Sequence, residues 1–347
     1  MWNCRNRLTH RGYRVLGTCI LTGAFIAVSY APAQNIPLIS GGAGFFTRTS
    51  GGKTSYIPTI EPLAAAPLGS HALVEGRANL LEDFFPSASG YDHVHFVALT
   101  YLQMDYLVGA HATIVAGEYL TPFGSYNERL APIWIGNFQD PPLTAGLGTG
   151  TGSSVGGMLR GSAISTSNYS LDYAAFYSAA SSNQNFNSQN SWGGRSSIYV
   201  PRARFELGAS FSRVNVTAQT NNVAVHAWWE PADSSFKLRS EYDHCTHAQG
   251  YWIEADYRLS PFGGPDSALG RLEPVFRWQQ VFRNSPDPSD GLPSADTQRI
   301  DAGLNYHLPH EVRIITSYSR QLSATGNANL WQTGITYRFL FPTWRGR

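Results

Sequence analysis

The run Trp331-Gln-Thr-Gly-Ile-Thr-Tyr-Arg-Phe339 constrains the fold of this chain more than any other stretch. Trp331, Thr333, Ile335, Tyr337 and Phe339 fall on one side of an extended backbone, and Gln332, Gly334, Thr336 and Arg338 on the other. Successive side chains of a strand point to opposite faces, so a period of two describes a strand between two unlike media. The mainly apolar, aromatic-tipped side suits hydrocarbon and the polar side suits water. Past residue 33 no segment holds eighteen consecutive apolar residues, so helical membrane spans are not expected.

The same alternation recurs upstream. It predicts fourteen strands, at 71–81, 93–106, 112–120, 158–166, 170–178, 197–200, 204–213, 223–230, 236–244, 251–259, 272–282, 298–306, 312–322 and 330–339. Several have the length of ~9–11 residues that a tilted membrane strand needs. Aromatic residues stand near many strand ends (Tyr106, Phe211, Trp229, Tyr242, Tyr257, Phe282, Tyr306, Phe339), as the girdles of a membrane barrel do. The gaps sort largely by parity: on one side 107–111, 167–169, 201–203, 231–235 and 307–311 are short and only 260–271 is longer, whereas on the other 121–157, 179–196 and 283–297 are long and those near Cys245 and Ala324 are short. Short turns on one side and long loops on the other are the habit of outer-membrane barrels. The expected fold is all-β, a transmembrane antiparallel up-and-down barrel spanning 71–339. Segment 34–70 forms an arm, a plug, or a further hairpin through 44–48 and 55–60 that would raise the count to sixteen. A secreted soluble β-sandwich is the alternative fold, since it too alternates.

Residues 1–33 read as a cleaved signal peptide: Arg5, Arg7, Arg11 and Arg14, then an apolar run, then Ala31-Pro-Ala33. Without those four arginines the formal charge is −3, 21 basic against 24 acidic side chains. That balance argues against a nucleic-acid partner. Cys245 is the sole cysteine after residue 33, so an internal disulfide framework is excluded. The eight residues 340–347 read as a periplasmic tail.

Gln332, Gly334, Tyr337 and Phe339 resemble, position by position, the C-terminal assembly signal of Gram-negative outer-membrane proteins. The resemblance implies an outer-membrane location, contact with membrane lipids, and recognition by the barrel-assembly machinery. The chain departs from that pattern in carrying residues beyond the terminal aromatic. Gly117-Glu-Tyr-Leu-Thr-Pro-Phe-Gly124, with Tyr126-Asn-Glu-Arg129 and Asp140-Pro-Pro142, is similar to segments of the broad phosphate-selective porin type. The lysine clusters of those channels are missing, because Lys53 and Lys237 are the only lysines.

The inferred inner face carries charges of both signs. Arg160, Arg204, Glu206, Arg239, Glu241, Asp243, Glu254, Asp256, Arg258, Arg277, Arg299 and Asp301 are the pore-lining candidates, with Glu75, Arg77, Asp105 and Arg338 in the wider set. Rings of charge at a constriction select solutes. Alternatively, these residues neutralise one another across neighbouring strands. The longest loop, 121–157, is a candidate to fold inward and narrow the pore, which would make Glu128, Arg129 and Asp140 constriction charges; alternatively it is a mobile outer loop. Asp243-His-Cys-Thr-His247 reads as an exposed polar turn rather than a metal site, and no catalytic constellation or cofactor motif stands out. The expected function is passive diffusion of small hydrophilic solutes or ions, with oligomeric state, monomer or trimer, open. A plugged barrel with a binding or structural role is the alternative. On this face assignment Ile253→Arg should harm folding, whereas Glu254→Arg should fold and favour anions.

Overall fold

A computed structural model describes residues 37–147, 152–183, 186–215, 219–285 and 291–342. The strands in chain order are β1 Leu38–Ser50, β2 Lys53–Leu68, β3 Ala72–Ser87, β4 Gly90–Gly109, β5 Ala112–Leu120, β6 Ser153–Ser165, β7 Ser170–Ser178, β8 Ser181–Asn183, β9 Phe186–Ser188, β10 Ser191–Val200, β11 Phe205–Asn215, β12 Gln219–Trp229, β13 Phe236–His244, β14 Ala248–Tyr257, β15 Leu272–Arg283, β16 Thr297–His307, β17 Val312–Ser323 and β18 Ala328–Pro342. One short helix, α1 Tyr126–Arg129, lies between β5 and β6.

Sixteen of these strands close into a single barrel. Each pairs antiparallel with its sequence neighbours, β7 pairs with β10 past the small β8–β9 hairpin, and β1 pairs with β18. The sequence reading of fourteen strands gains the hairpin it held open. Leu38–Ser50 and Lys53–Leu68 are full barrel strands, turning at Gly51 and Gly52, both with positive φ. Closure leaves no sheet edge, the condition for a strand assembly in hydrocarbon.

The two faces are sorted opposite to those of a soluble protein. Leu207, Val225, Ile253, Phe276, Ile300, Leu304 and Ile335 are exposed on the outside, while Glu206, Glu254, Arg277, Arg299 and Asp301 are buried within. A water-soluble fold hides the first set and exposes the second. Outward-facing ionisable groups do occur toward the long-loop end, where Arg320 bonds Asn329 (2.7 Å) and Glu82 meets His95.

The last strand keeps its predicted alternation and runs past Phe339 to Pro342. Phe339 sits on the outer face opposite Gly41, its ring 3.0 Å from where a Cβ at Gly41 would stand. Phe341 stacks on it (5.5 Å between centroids), so Phe339 is covered rather than exposed. In β4 the pairing slips after Arg77: Tyr101 faces Arg77 and Leu99 faces Ala78, leaving Thr100 as a bulge. The bulge sets Tyr101, Gln103 and Asp105 on the inner face.

Ile253→Arg should cost about 2–4 kcal/mol if its site is at the midplane of a bilayer. Urea titration of the barrel refolded in lipid vesicles should register this as a lowered midpoint, with Ile253→Leu unchanged.

Candidate functional site

The inside of the barrel is dominated by the chain between β5 and β6. β5 ends at Leu120, level with the β4 bulge, while β4 runs on for about another ten residues. The connection therefore leaves the wall partway along it and is carried inside. Its two ends are clasped, with Thr121 N–H donating to Gly152 O (3.2 Å) and Asn127 Nδ2 donating to Gly152 O (2.7 Å).

From that clasp the loop crosses to the opposite wall. Gly124 N–H donates to Ser210 Oγ (3.1 Å), and Ser125 Oγ donates to Glu241 (2.7 Å). A Cβ on Gly124 would stand 2.4 Å from the Glu241 carboxylate, and its φ of +64° is one that L side chains rarely adopt. In α1, Arg129 pairs with Glu206 (2.8 Å), and Glu128 pairs with Arg195 of β10. Beyond α1 the loop swings back to the closing strands. Arg313 donates to the carbonyls of Ile133 (3.2 Å) and Gly136 (2.6 Å). Trp134 lies on bare backbone at Gly42, where a Cβ would come within 2.5 Å of its ring. Asn137 then donates to Glu254 and Asp256 (3.0 Å each), and Phe138 sits beneath the Arg277 guanidinium (4.6 Å).

Asp140 ties the far end of the loop across the barrel closure. It accepts from Arg48 of β1 (2.5 Å) and Arg299 of β16 (3.2 Å), while Arg277 donates to its carbonyl (2.9 Å). Burial alone would raise the Asp140 carboxyl pKa. Arg48 and Arg299 outweigh burial and hold it below the ordinary carboxylate value.

The loop leaves space along the β1–β6 wall. Toward the long-loop end is a cavity of about 400 Å³, bordered by Arg48, Ile57, Thr59, Glu61 and Asn79 on the wall and Leu130, Pro132 and Ile133 on the loop. Next comes one of about 310 Å³, bordered by Leu63, Glu75, Arg77, Tyr101, Gln103, Arg160 and Arg338 on the wall and Glu128, Pro132 and Trp134 on the loop. A third, of about 290 Å³, reaches the short-turn rim at Pro67, His71, Leu73 and Asp105. Pro132 borders the first two and Arg160 the last two, so the cavities stand in file from one end of β2 to the other.

This placement divides the sequence candidates. Glu206, Arg239, Glu241, Asp243, Glu254, Asp256, Arg277, Arg299 and Asp301 all face inward but lie buried on the wall that the loop covers. Most are paired there: Arg239 with Glu254 (3.1 Å), Arg277 and Arg299 with Asp301 (3.0 Å each), and Lys237 with Asp256 (3.3 Å). Asp243 sits against Glu241 and Thr144. Arg160 borders the open file, paired with Asp105 (2.7 Å). Arg204 and Arg258 are not strand residues. Arg204 occupies the β10–β11 turn with φ of +47° near Glu230 (3.5 Å), and Arg258 follows β14 and donates to Gly270 O (3.3 Å).

Of the loop candidates, Glu128 borders the middle cavity and Asp140 the outer one, while Arg129 is turned to the wall beside Trp228 (5.5 Å). Glu61, Tyr101, Gln103 and Trp134 border the open file although sequence reasoning did not single them out. Glu61 had a readable signal, the alternation Ile57, Thr59, Glu61, Leu63 within β2. The expectation for Glu254→Arg is overturned, because Glu254 lies between Arg239 (3.1 Å) and Arg277 (3.7 Å) and a third guanidinium there would repel both.

No protein-family model matches the chain, and no curated protein matches it. Solved structures do match over nearly its whole length. OmpF of Salmonella typhi, solved with daunomycin, aligns with a TM-score of 0.60 at 17% identity, covering 88% of this chain and 98% of that one. OprB of Pseudomonas putida aligns at 0.58 and 10% identity, covering 92% and 98%. An anion-selective porin from Comamonas acidovorans aligns at 0.52 and 11%, covering 88% and 98%. At these identities the likeness is one of fold: the chain has the sixteen-stranded porin barrel.

Asp140→Ala should release the loop from Arg48 and Arg299 and raise the conductance or current noise of single molecules in planar bilayers. The pH sign follows from the lowered carboxyl pKa. The Asp140 tie is complete above about pH 4, the unfolded-state value, and is lost only as pH falls through the lower folded value. Wild-type conductance should therefore hold from neutral pH down to about 4 on this account. A rise in conductance already at pH 6 would contradict it.

Proposed function

We propose that the chain is an outer-membrane channel for passive diffusion of small hydrophilic solutes or ions. The observation that carries this reading is the file of three cavities between the inserted loop and the β1–β6 wall, inside a barrel whose outer face is apolar. The loop narrows the lumen without covering that wall. Along the remaining path stand Glu61, Glu75, Arg77, Asp105, Arg160 and Arg338, charges of both signs at close quarters. Such a lining discriminates by width and by charge rather than excluding one sign outright.

The same reading assigns 1–33 as the export leader and Gln332, Gly334, Tyr337 and Phe339 as the segment that the assembly machinery reads. Lipids surround the barrel, and small solutes are its transient partners. The arginine clamps fix the loop in the folded state, so the constriction is a standing feature of the pore.

Purified protein in planar bilayers should give stable open steps that scale with salt concentration. Their absence at adequate protein would support a plugged barrel with a binding role. Arg338→Glu adds negative charge at the short-turn side of the path. It should move the zero-current potential in a salt gradient toward cation preference, and an unmoved potential would place the path elsewhere.

A further inference from the structure

The middle cavity contains an arginine whose surroundings do not satisfy it. Arg77 is only 6% exposed, its Nε has no hydrogen-bond partner, and it forms no ion pair with any described residue. Its guanidinium carbon stands 5.6 Å from the centre of the Tyr101 ring, and the Glu61 carboxylate lies within electrostatic range without forming an ion pair or hydrogen bond to it. A buried guanidinium without a partner carries a desolvation cost that an anion relieves.

Most of the other charges at this cavity already take part in an ion pair or a hydrogen bond. Arg160 is taken by Asp105 (2.7 Å) and Glu128 by Arg195. Glu75 receives Gln103 Nε2 (3.0 Å), and Glu61, in the neighbouring cavity, receives the Ile133 N–H (3.4 Å). Arg338 opens onto the same space without an ion pair among the described residues. The Glu75 and Glu61 carboxylates thus each accept a hydrogen bond, whereas Arg77 donates none to any described residue. The rest of the lining includes Leu63, Met158, Trp134 and Ile135, which offer apolar contact. About 310 Å³ matches the lower end of small-molecule sites.

We propose that this cavity is a binding station for small monocarboxylates with an apolar body, the carboxylate on Arg77 and the body against Trp134. The planar guanidinium matches a carboxylate through two parallel hydrogen bonds. Glu75 and Glu128 in the same lining oppose a dianion such as phosphate, and the apolar lining favours an organic body. The station rests on the channel reading, since solutes reach it along the file of cavities.

The test uses phenylacetate as probe on the whole protein in planar bilayers, compared with acetate, benzylammonium and inorganic phosphate at equal ionic strength. Phenylacetate should give concentration-dependent interruptions of the current that the other three do not. Arg77→Gln should shorten the interruptions at least tenfold, and Trp134→Ala should shorten them less. Equal behaviour of phenylacetate and acetate, interruptions by benzylammonium or phosphate of equal length, or unchanged dwell times in Arg77→Gln would overturn the proposal. If Arg77→Gln fails to fold, unchanged dwell times in Trp134→Ala overturn it instead. Calorimetric titration of phenylacetate into detergent-solubilised protein separates this failure from that of the channel. Binding without conductance removes the channel and keeps the site, whereas conductance without binding does the reverse.

Discussion

Everything in this molecule depends on the pairing of β1 with β18. Hydrocarbon offers no partner to a backbone N–H or C=O, so each strand must find both neighbours within the sheet. The ladder from Leu38 against Pro342 to Ser50 against Leu330 closes the ring. Phe339 seals the outer side of that seam over Gly41, where the missing side chain leaves room for the ring. Both features meet in the segment with the clearest alternation in the chain.

Closure also creates the interior that the loop fills. The wall from β10 through β17 carries a dense lattice of arginines and carboxylates, and these groups hold the loop at Gly124, Asn137 and Asp140. Charges withdrawn from water are tolerable only when paired and hydrogen-bonded, and on this wall most are. The β1–β6 wall is different. The loop touches it at Gly42, Arg48 and Glu61 and leaves cavities elsewhere, and Arg77 forms no ion pair with a described residue. The asymmetry arises from one geometric fact: β5 stops early and sends its loop across to the far wall rather than along its own.

The strands of the second half were legible because each separates two media, which writes a period of two into the sequence. Faces read from residues 205–211, 251–257 and 299–306 agree with the structure residue for residue. The first hairpin was harder to read. Pro58, Pro62 and Pro67 lie within β2, where proline donates nothing to the ladder, and the stretch stayed open among a hairpin, an arm and a plug. Gap parity placed the long loop on the outer side, but its inward course was only one of two readings open to the sequence. Which inner charges it would cover was not legible.

Periodicity by itself determined that this chain makes strands with one apolar and one polar face, because two unlike media impose a two-residue repeat whatever the tertiary details. Only the tertiary structure decided which charges meet the open path. Glu254 and Arg77 occupy equivalent positions on inner faces, yet one is clamped under Asn137 and the other borders a cavity. That difference comes from contacts across the barrel between residues more than fifty positions apart in the chain, and local alternation cannot encode them.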